Sequence, residues 1–177
     1  MVEHPAPDQL PYQPMTKFKP LPSQQELHRL FDYSVVTGEL YWKVMLSSRG
    51  TVGSVVGKKN TGRGYKRLRI NNVEYAQHRI IWCWVTGEDP AELEIDHKNN
   101  QRDCNAWHNL RKANRSQNTA NTPGAKGFQK NEWGRYHARI YKDNKFISLG
   151  MYATKAEARA AYEKASRDLH GEFSSVK

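Results

Sequence analysis

Apolar and polar positions change their period several times along the chain, and each change marks an element. Leu27, Leu30 and Phe31 recur at helical spacing. They follow Ser23 and, three residues on, Glu26, a capping-box pattern that predicts a short helix starting there. Thr37-Gly38 then signals a turn before Leu40, Tyr41 and Trp42. Lys66 to Ile70 and Val73 to Ala76 flank Asn71-Asn72 as the arms of a hairpin flank a two-residue turn, so the N-terminal region reads as short strands. From Ala76 the period lengthens. Ile80, Ile81, Trp84 and Val85 form one apolar face that ends at Gly87 and Pro90, which predicts a single packing helix.

Thr122-Pro123-Gly124 breaks the chain again and predicts a domain boundary near residue 122. Beyond it, Gly127-Phe128, Trp133 to Tyr136, Ala138 to Ile140 and Leu149 to Tyr152 alternate apolar, aromatic and basic positions, as a small antiparallel sheet of two or three strands would. A second capping box, Thr154 with Glu157, opens a long helical pattern to His170. Its face of Ala158, Ala161, Tyr162, Ala165 and Leu169 is expected to cover the back of the sheet, with Gly171 as the stop. Three segments follow: an extended tail over 1–22 with polyproline character from its six prolines, a unit over 23–121, and a unit over 122–177.

Charge narrows the partner. In 177 residues, 28 Lys and Arg stand against 18 Asp and Glu, a formal +10, and such an excess favours a polyanion such as nucleic acid. No apolar run approaches the roughly 20 residues that span a bilayer, and the proline-rich start lacks the apolar stretch of a secretory signal, so a cytoplasmic protein is expected. Cys83 and Cys104 are too few for a disulfide framework and are not paired as zinc-ribbon ligands are. The glycine-rich basic loop from Gly57 to Gly64 fits close approach to phosphates and fits a solvated loop equally well.

Candidate chemistry lies at Glu94-Ile95-Asp96-His97, where a carboxylate suited to a divalent cation adjoins an imidazole able to take a proton from water. Asn105, Asn109-Leu110-Arg111 and Gln117-Asn118 continue at spacings that suit a strand, a loop, a second strand and a helix. The stretch from His78 to Asn121 resembles the HNH endonucleases of phages and mobile introns, which carry an Asp-His pair, an Asn-Leu step and a later Asn. Asn109 and Asn118 follow Asp96 by 13 and 22 residues, as in that family's form. The resemblance implies His97 as general base, Asp96 and Asn118 as metal ligands, and Asn109 as the residue that orients the imidazole and braces the loop. That family often has a His where His78 stands, at the head of the packing helix, and structural roles are expected for His78 and His108. Oxygen ligands suit Mg²⁺ or Mn²⁺ better than zinc. Arg102, Arg111, Lys112 and Arg115 bracket the site as candidate phosphate contacts, each fitting a solvated basic face equally.

Residues 124 to 175 resemble the DNA-binding domain of plant ethylene-response factors, a three-stranded sheet on one helix. The likeness rests on the Trp-Gly, Leu-Gly and Glu-Ala-x-x-Ala-Tyr steps. Gln129 and Asn131 stand where the plant domains usually place base-reading arginines, so that target site does not transfer. Lys130, Trp133, Arg135, Tyr136, Arg139 and Lys142 are the candidate DNA contacts of a sheet in the major groove, although Trp133 and Tyr136 fit a small-domain core equally well. The expectation is an α+β protein. A strand-strand-helix metal (ββα-metal) HNH nuclease core with N-terminal short strands precedes a small three-stranded antiparallel sheet packed on one helix. It implies a monomeric, homing-type enzyme that nicks double-stranded DNA. The rivals are a non-catalytic DNA-binding regulator of the same fold, and an RNA binder that uses Trp133 and Tyr136 as stacking platforms.

Overall fold

A computed structural model describes residues 19–45, 51–59, 62–122, 127–143 and 145–176. Most of the proline-rich tail, Asn60-Thr61 of the basic loop and Pro123-Gly124 of the chain break lie outside them.

The first helix, α1 (Gln24–Leu30), begins where Ser23 accepts a hydrogen bond from the Glu26 backbone amide at 3.2 Å. The expected return bond from Glu26 is replaced by an exposed pair with Arg29 at 2.8 Å. Strands β1 (Phe31–Tyr33) and β2 (Leu40–Trp42) pair antiparallel around the Thr37-Gly38 turn. A three-stranded sheet follows from β3 (Lys58–Lys59), β4 (Lys66–Ile70) and β5 (Val73–Ala76), with β4 in the centre. Asn71 and Asn72 both take positive φ, 47° and 63°, as a type I′ hairpin turn requires and as asparagine tolerates. Helix α2 (Gln77–Thr86) ends at Gly87 in the left-handed conformation, whose amide returns to the Cys83 carbonyl.

Two strands and a helix then carry the central motif: β6 (Glu94–His97) pairs antiparallel with β7 (Leu110–Ala113), and α3 (Arg115–Ala120) follows. Asn114 caps α3 through a reciprocal box with Gln117. One apolar cluster runs from Leu27, Leu30, Phe31 and Leu40 through Ile80 and Ile81 to Ile95 and Leu110. The N-terminal strands and the Asp-His segment therefore share a core.

After residue 127, β8 (Phe128–Lys130), β9 (Tyr136–Lys142) and β10 (Lys145–Tyr152) form an antiparallel sheet with β9 central, and α4 (Lys155–His170) packs on it behind the Thr154–Glu157 box. Its buried residues, Ala138, Ile140, Ala158 and Tyr162, make a second, smaller core. The chain is thus mixed α+β, with small antiparallel sheets and four helices among the described residues.

Gly38 shows how tightly the N-terminal hairpin grips the motif. Its φ is +76°, and an added Cβ would lie 2.1 Å from the Ala106 amide nitrogen and 2.2 Å from the Asn105 carbonyl carbon. Both neighbours are backbone. Gly38→Ala is expected to lower stability by about 1–3 kcal/mol, from overpacking and a left-handed residue that is not glycine. A urea midpoint equal to wild type would show that the two loops do not need this contact.

Candidate active site

Asp96 and His97 sit on successive positions of β6, both buried, at 5 % and 3 % exposure. A polar cavity of about 130 Å³ is lined by Tyr65, Asp96, His97, Asn100, Arg102, Asn118, Thr119 and Thr122. Three residues expected at the site, Asp96, His97 and Asn118, therefore meet at one opening.

The Asp96 carboxylate is already engaged. Arg111, its register partner on β7, donates from Nε to Oδ2 at 2.9 Å and places Nη2 2.8 Å from the same oxygen. Asn121 donates to both carboxylate oxygens at 3.1 Å and to the His97 carbonyl at 2.9 Å. Oδ1 accepts only from Asn121 among the described residues and so keeps a lone pair. The Asn118 amide donates to Glu94, which leaves its own carbonyl oxygen for another partner.

Arg111 is not at the surface. It is 8 % exposed, donates from Nη1 to the Glu172 carbonyl at 2.6 Å, and lies over the Phe173 ring with 3.9 Å to the centroid. This replaces the expected phosphate contact. A buried guanidinium gains more from a carboxylate and a ring face than a lysine would, because it is planar and weakly hydrated. Lys112 is paired too, with Glu88 at 2.6 Å, whereas Arg102 and Arg115 remain exposed.

The His97 ring is held by Asn105, with 2.9 Å from Nε2 to Oδ1. Asn109 was expected in that role. Its contacts are those of the loop brace that was also expected: it accepts from the Asn99 amide at 3.0 Å and donates to the Cys104 carbonyl at 2.7 Å. The other walls of the His97 ring are His78 and Tyr65, at centroid distances of 5.2 and 5.8 Å. Burial pushes the His97 imidazole below the ordinary 6.5, partly offset by the Asn105 hydrogen bond and the Asp96 charge. Its neutral form is the one a proton acceptor needs at pH 7.

His78, on the first turn of α2, is mostly buried, and its Nδ1 has no hydrogen-bond partner among the described residues. Burial holds it well below 6.5, with the nearby His97, Arg79 and Arg67 acting in the same direction. An unfolded chain takes up a proton near 6.5 that the folded His78 refuses, so the stability it allows is complete above that pH and lost as the pH falls. Stability is expected to drop by about 1.4 kcal/mol per pH unit below about pH 6.5 for each such histidine. His78→Leu should flatten that slope in urea titrations. An unchanged slope would place the acid sensitivity elsewhere.

In the C-terminal sheet, strand register sorts the expected contacts by face. Ala138 and Ile140 are buried toward α4, so Tyr136 and Lys142, at the same parity, belong to the helix side, as does Lys130 opposite Tyr136. Gln129, His137, Arg139, Tyr141, Phe146, Ser148 and Met151 share the outward face by register. Arg139 lies 4.7 Å from the Phe146 ring centroid. Arg135 is exposed at the β8–β9 turn, and Trp133 there is 77 % exposed, which removes it from the core.

Among the described residues, no cluster of three or more His, Cys, Asp or Glu could hold a metal ion. None of their helices is long and apolar enough to cross a membrane. The chain matches no curated protein and no solved structure. A family model described as HNH endonuclease matches residues 75–120, about a quarter of the chain, a stretch that holds α2, β6, β7 and α3 with Asp96, His97, Asn105, Asn109 and Asn118. By that match, residues 75–120 are similar to an HNH endonuclease domain.

Proposed function

We propose that the protein is a metal-dependent endonuclease that hydrolyses phosphodiester bonds of double-stranded DNA, one strand per visit, as a homing-type nickase. The observation that carries this reading is that Asp96, His97 and Asn118, all within the matched segment, meet at one small polar cavity. The donor set fits a hard cation such as Mg²⁺ or Mn²⁺: a carboxylate oxygen with a spare lone pair and a free amide carbonyl, with the other positions left to water and phosphate oxygens. Asp96 and Asn118 would hold that cation, which when bound would neutralise charge on the phosphate and the departing oxygen.

His97 takes a proton from water, and the hydroxide attacks phosphorus as the bond to the 3′ oxygen breaks. The 3′ oxygen then takes a proton from solvent. The products are a 5′-phosphate and a 3′-hydroxyl, ends that a DNA ligase can rejoin. Nicks made by the purified protein in duplex DNA should therefore be sealable without prior end repair. Ends that resist ligation would contradict this chemistry.

The outward face of the C-terminal sheet, with Arg139, and the β8–β9 turn, with Arg135 and Trp133, suit duplex DNA by their charge and aromatic groups. Arg115, exposed at the start of α3, the helix that carries Asn118, suits a phosphate contact. The regulator reading has no specific observation in its favour, since the residues the chemistry needs are all present.

A further inference from the structure

Behind the His97 ring runs a line of buried side chains that ends at a backbone carbonyl. Gln77, on α2 and wholly buried, donates from Nε2 to the Val56 carbonyl at 3.0 Å. Asn105, 1 % exposed, donates from Nδ2 to the Gln77 Oε1 at 3.0 Å. The Asn105 Oδ1 faces the Nε2 of His97 at 2.9 Å.

The far end sets the sense of every bond. A backbone carbonyl can only accept, so the NH₂ of Gln77 must face Val56 and its oxygen must face Asn105. The NH₂ of Asn105 must then face Gln77, which turns its oxygen to the imidazole. An amide oxygen is also only an acceptor, so Nε2 must carry a hydrogen, and Nδ1 holds the lone pair. The anchor is fixed, because the Val56 amide donates to the Leu40 carbonyl at 2.8 Å. The Asn105 backbone is fixed as well, since its carbonyl accepts from the Tyr33 hydroxyl at 2.8 Å.

We propose that Gln77 and Asn105 are positioning residues that hold His97 as the Nε2-protonated tautomer, so that Nδ1 is the nitrogen that takes the proton from water. The part about water rests on the nuclease reading above; the tautomer does not. Neither residue touches the reacting atoms. Both keep the ring in the one form, out of two neutral ones, that can act as a base in the cavity.

The test uses the full-length protein labelled with ¹⁵N and long-range proton–nitrogen spectra of the imidazoles at neutral pH, with His97 assigned by its loss in His97→Ala. The wild type should show the proton on Nε2. A dominant Nδ1-protonated form overturns the proposal. Gln77→Met keeps the volume and removes both hydrogen-bonding groups. It should mix the two tautomers and lower strand-cutting turnover by about 10–100-fold at unchanged DNA affinity. A pure Nε2-protonated ring in that variant would take Gln77 out of the role. Correct tautomers in a protein that never cuts DNA would overturn the nuclease reading and support the relay. Cutting by a protein with the opposite tautomer would do the reverse.

Discussion

The His97→Ala variant is expected to lose about 10²–10⁴-fold in strand-cutting turnover while its affinity for duplex DNA stays within about twofold of wild type. His97 is 3 % exposed and faces a 130 Å³ cavity, so its imidazole can act on a water there but adds little area for gripping a duplex. The exposed cations, Arg115, Arg135 and Arg139, stay in place in the variant. Measuring turnover and binding on the same preparation separates the two effects. Turnover near wild type would remove His97 from the chemistry, and a parallel loss of binding would make it a structural residue.

Replacing Arg111 by methionine should destabilise the fold by about 3–5 kcal/mol, because it leaves the Asp96 carboxylate buried without its cation. Phe173 would lose its planar partner as well. The double variant Arg111→Met with Asp96→Asn removes both charges and should recover much of the loss, a coupling that urea denaturation of the two singles and the double can measure. Additive losses would show that the two groups do not depend on each other. The same contact limits another experiment. Asp96→Ala strands a buried guanidinium, so loss of activity in that variant mixes chemistry with stability.

Arg111 also links two parts of the chain, since one guanidinium bonds Asp96 on β6 and the Glu172 carbonyl beyond α4. Residues 171–176 therefore rest against the motif, with the Ser175 amide reaching the Ala120 carbonyl at 3.2 Å. Removing residues 122–177 would uncover the Arg111–Asp96 pair as well as delete the sheet, so a truncated chain does not isolate the sheet's part in DNA choice.

Local signals announced most of the elements. The Asn71-Asn72 turn, the Gly87 stop of α2 and the Thr154–Glu157 box each act within a few residues, and each stands where its residues imply. The resemblance to the HNH family named Asp96, His97 and Asn118 together, and a hairpin followed by a helix brings them to one cavity. The support behind the ring had no such signal. Gln77 and Asn105 are 28 residues apart, and only the packing of α2 against the loop after β6 makes them neighbours. Arg111 misled for a related reason. In β7 both Leu110 and Arg111 are buried, since one side meets the core and the other is covered by Phe173 from the far end of the chain. For the C-terminal contacts the alternation was readable: Ala138 and Ile140 as the buried pair already put Tyr136 and Lys142 on the helix side.

The central claim is metal-dependent hydrolysis at the Asp96–His97–Asn118 cavity, and the most direct measurement is the fate of supercoiled DNA. The full-length protein would be incubated with it in Mg²⁺, in Mn²⁺ and in EDTA, beside Asn118→Ala, a change at a half-buried residue on α3. Nicked circles formed by the wild type with a divalent cation, absent in EDTA and strongly reduced in the variant, are the expected result. DNA that is bound in all three conditions and cut in none, or cut equally in EDTA and by the variant, would contradict it.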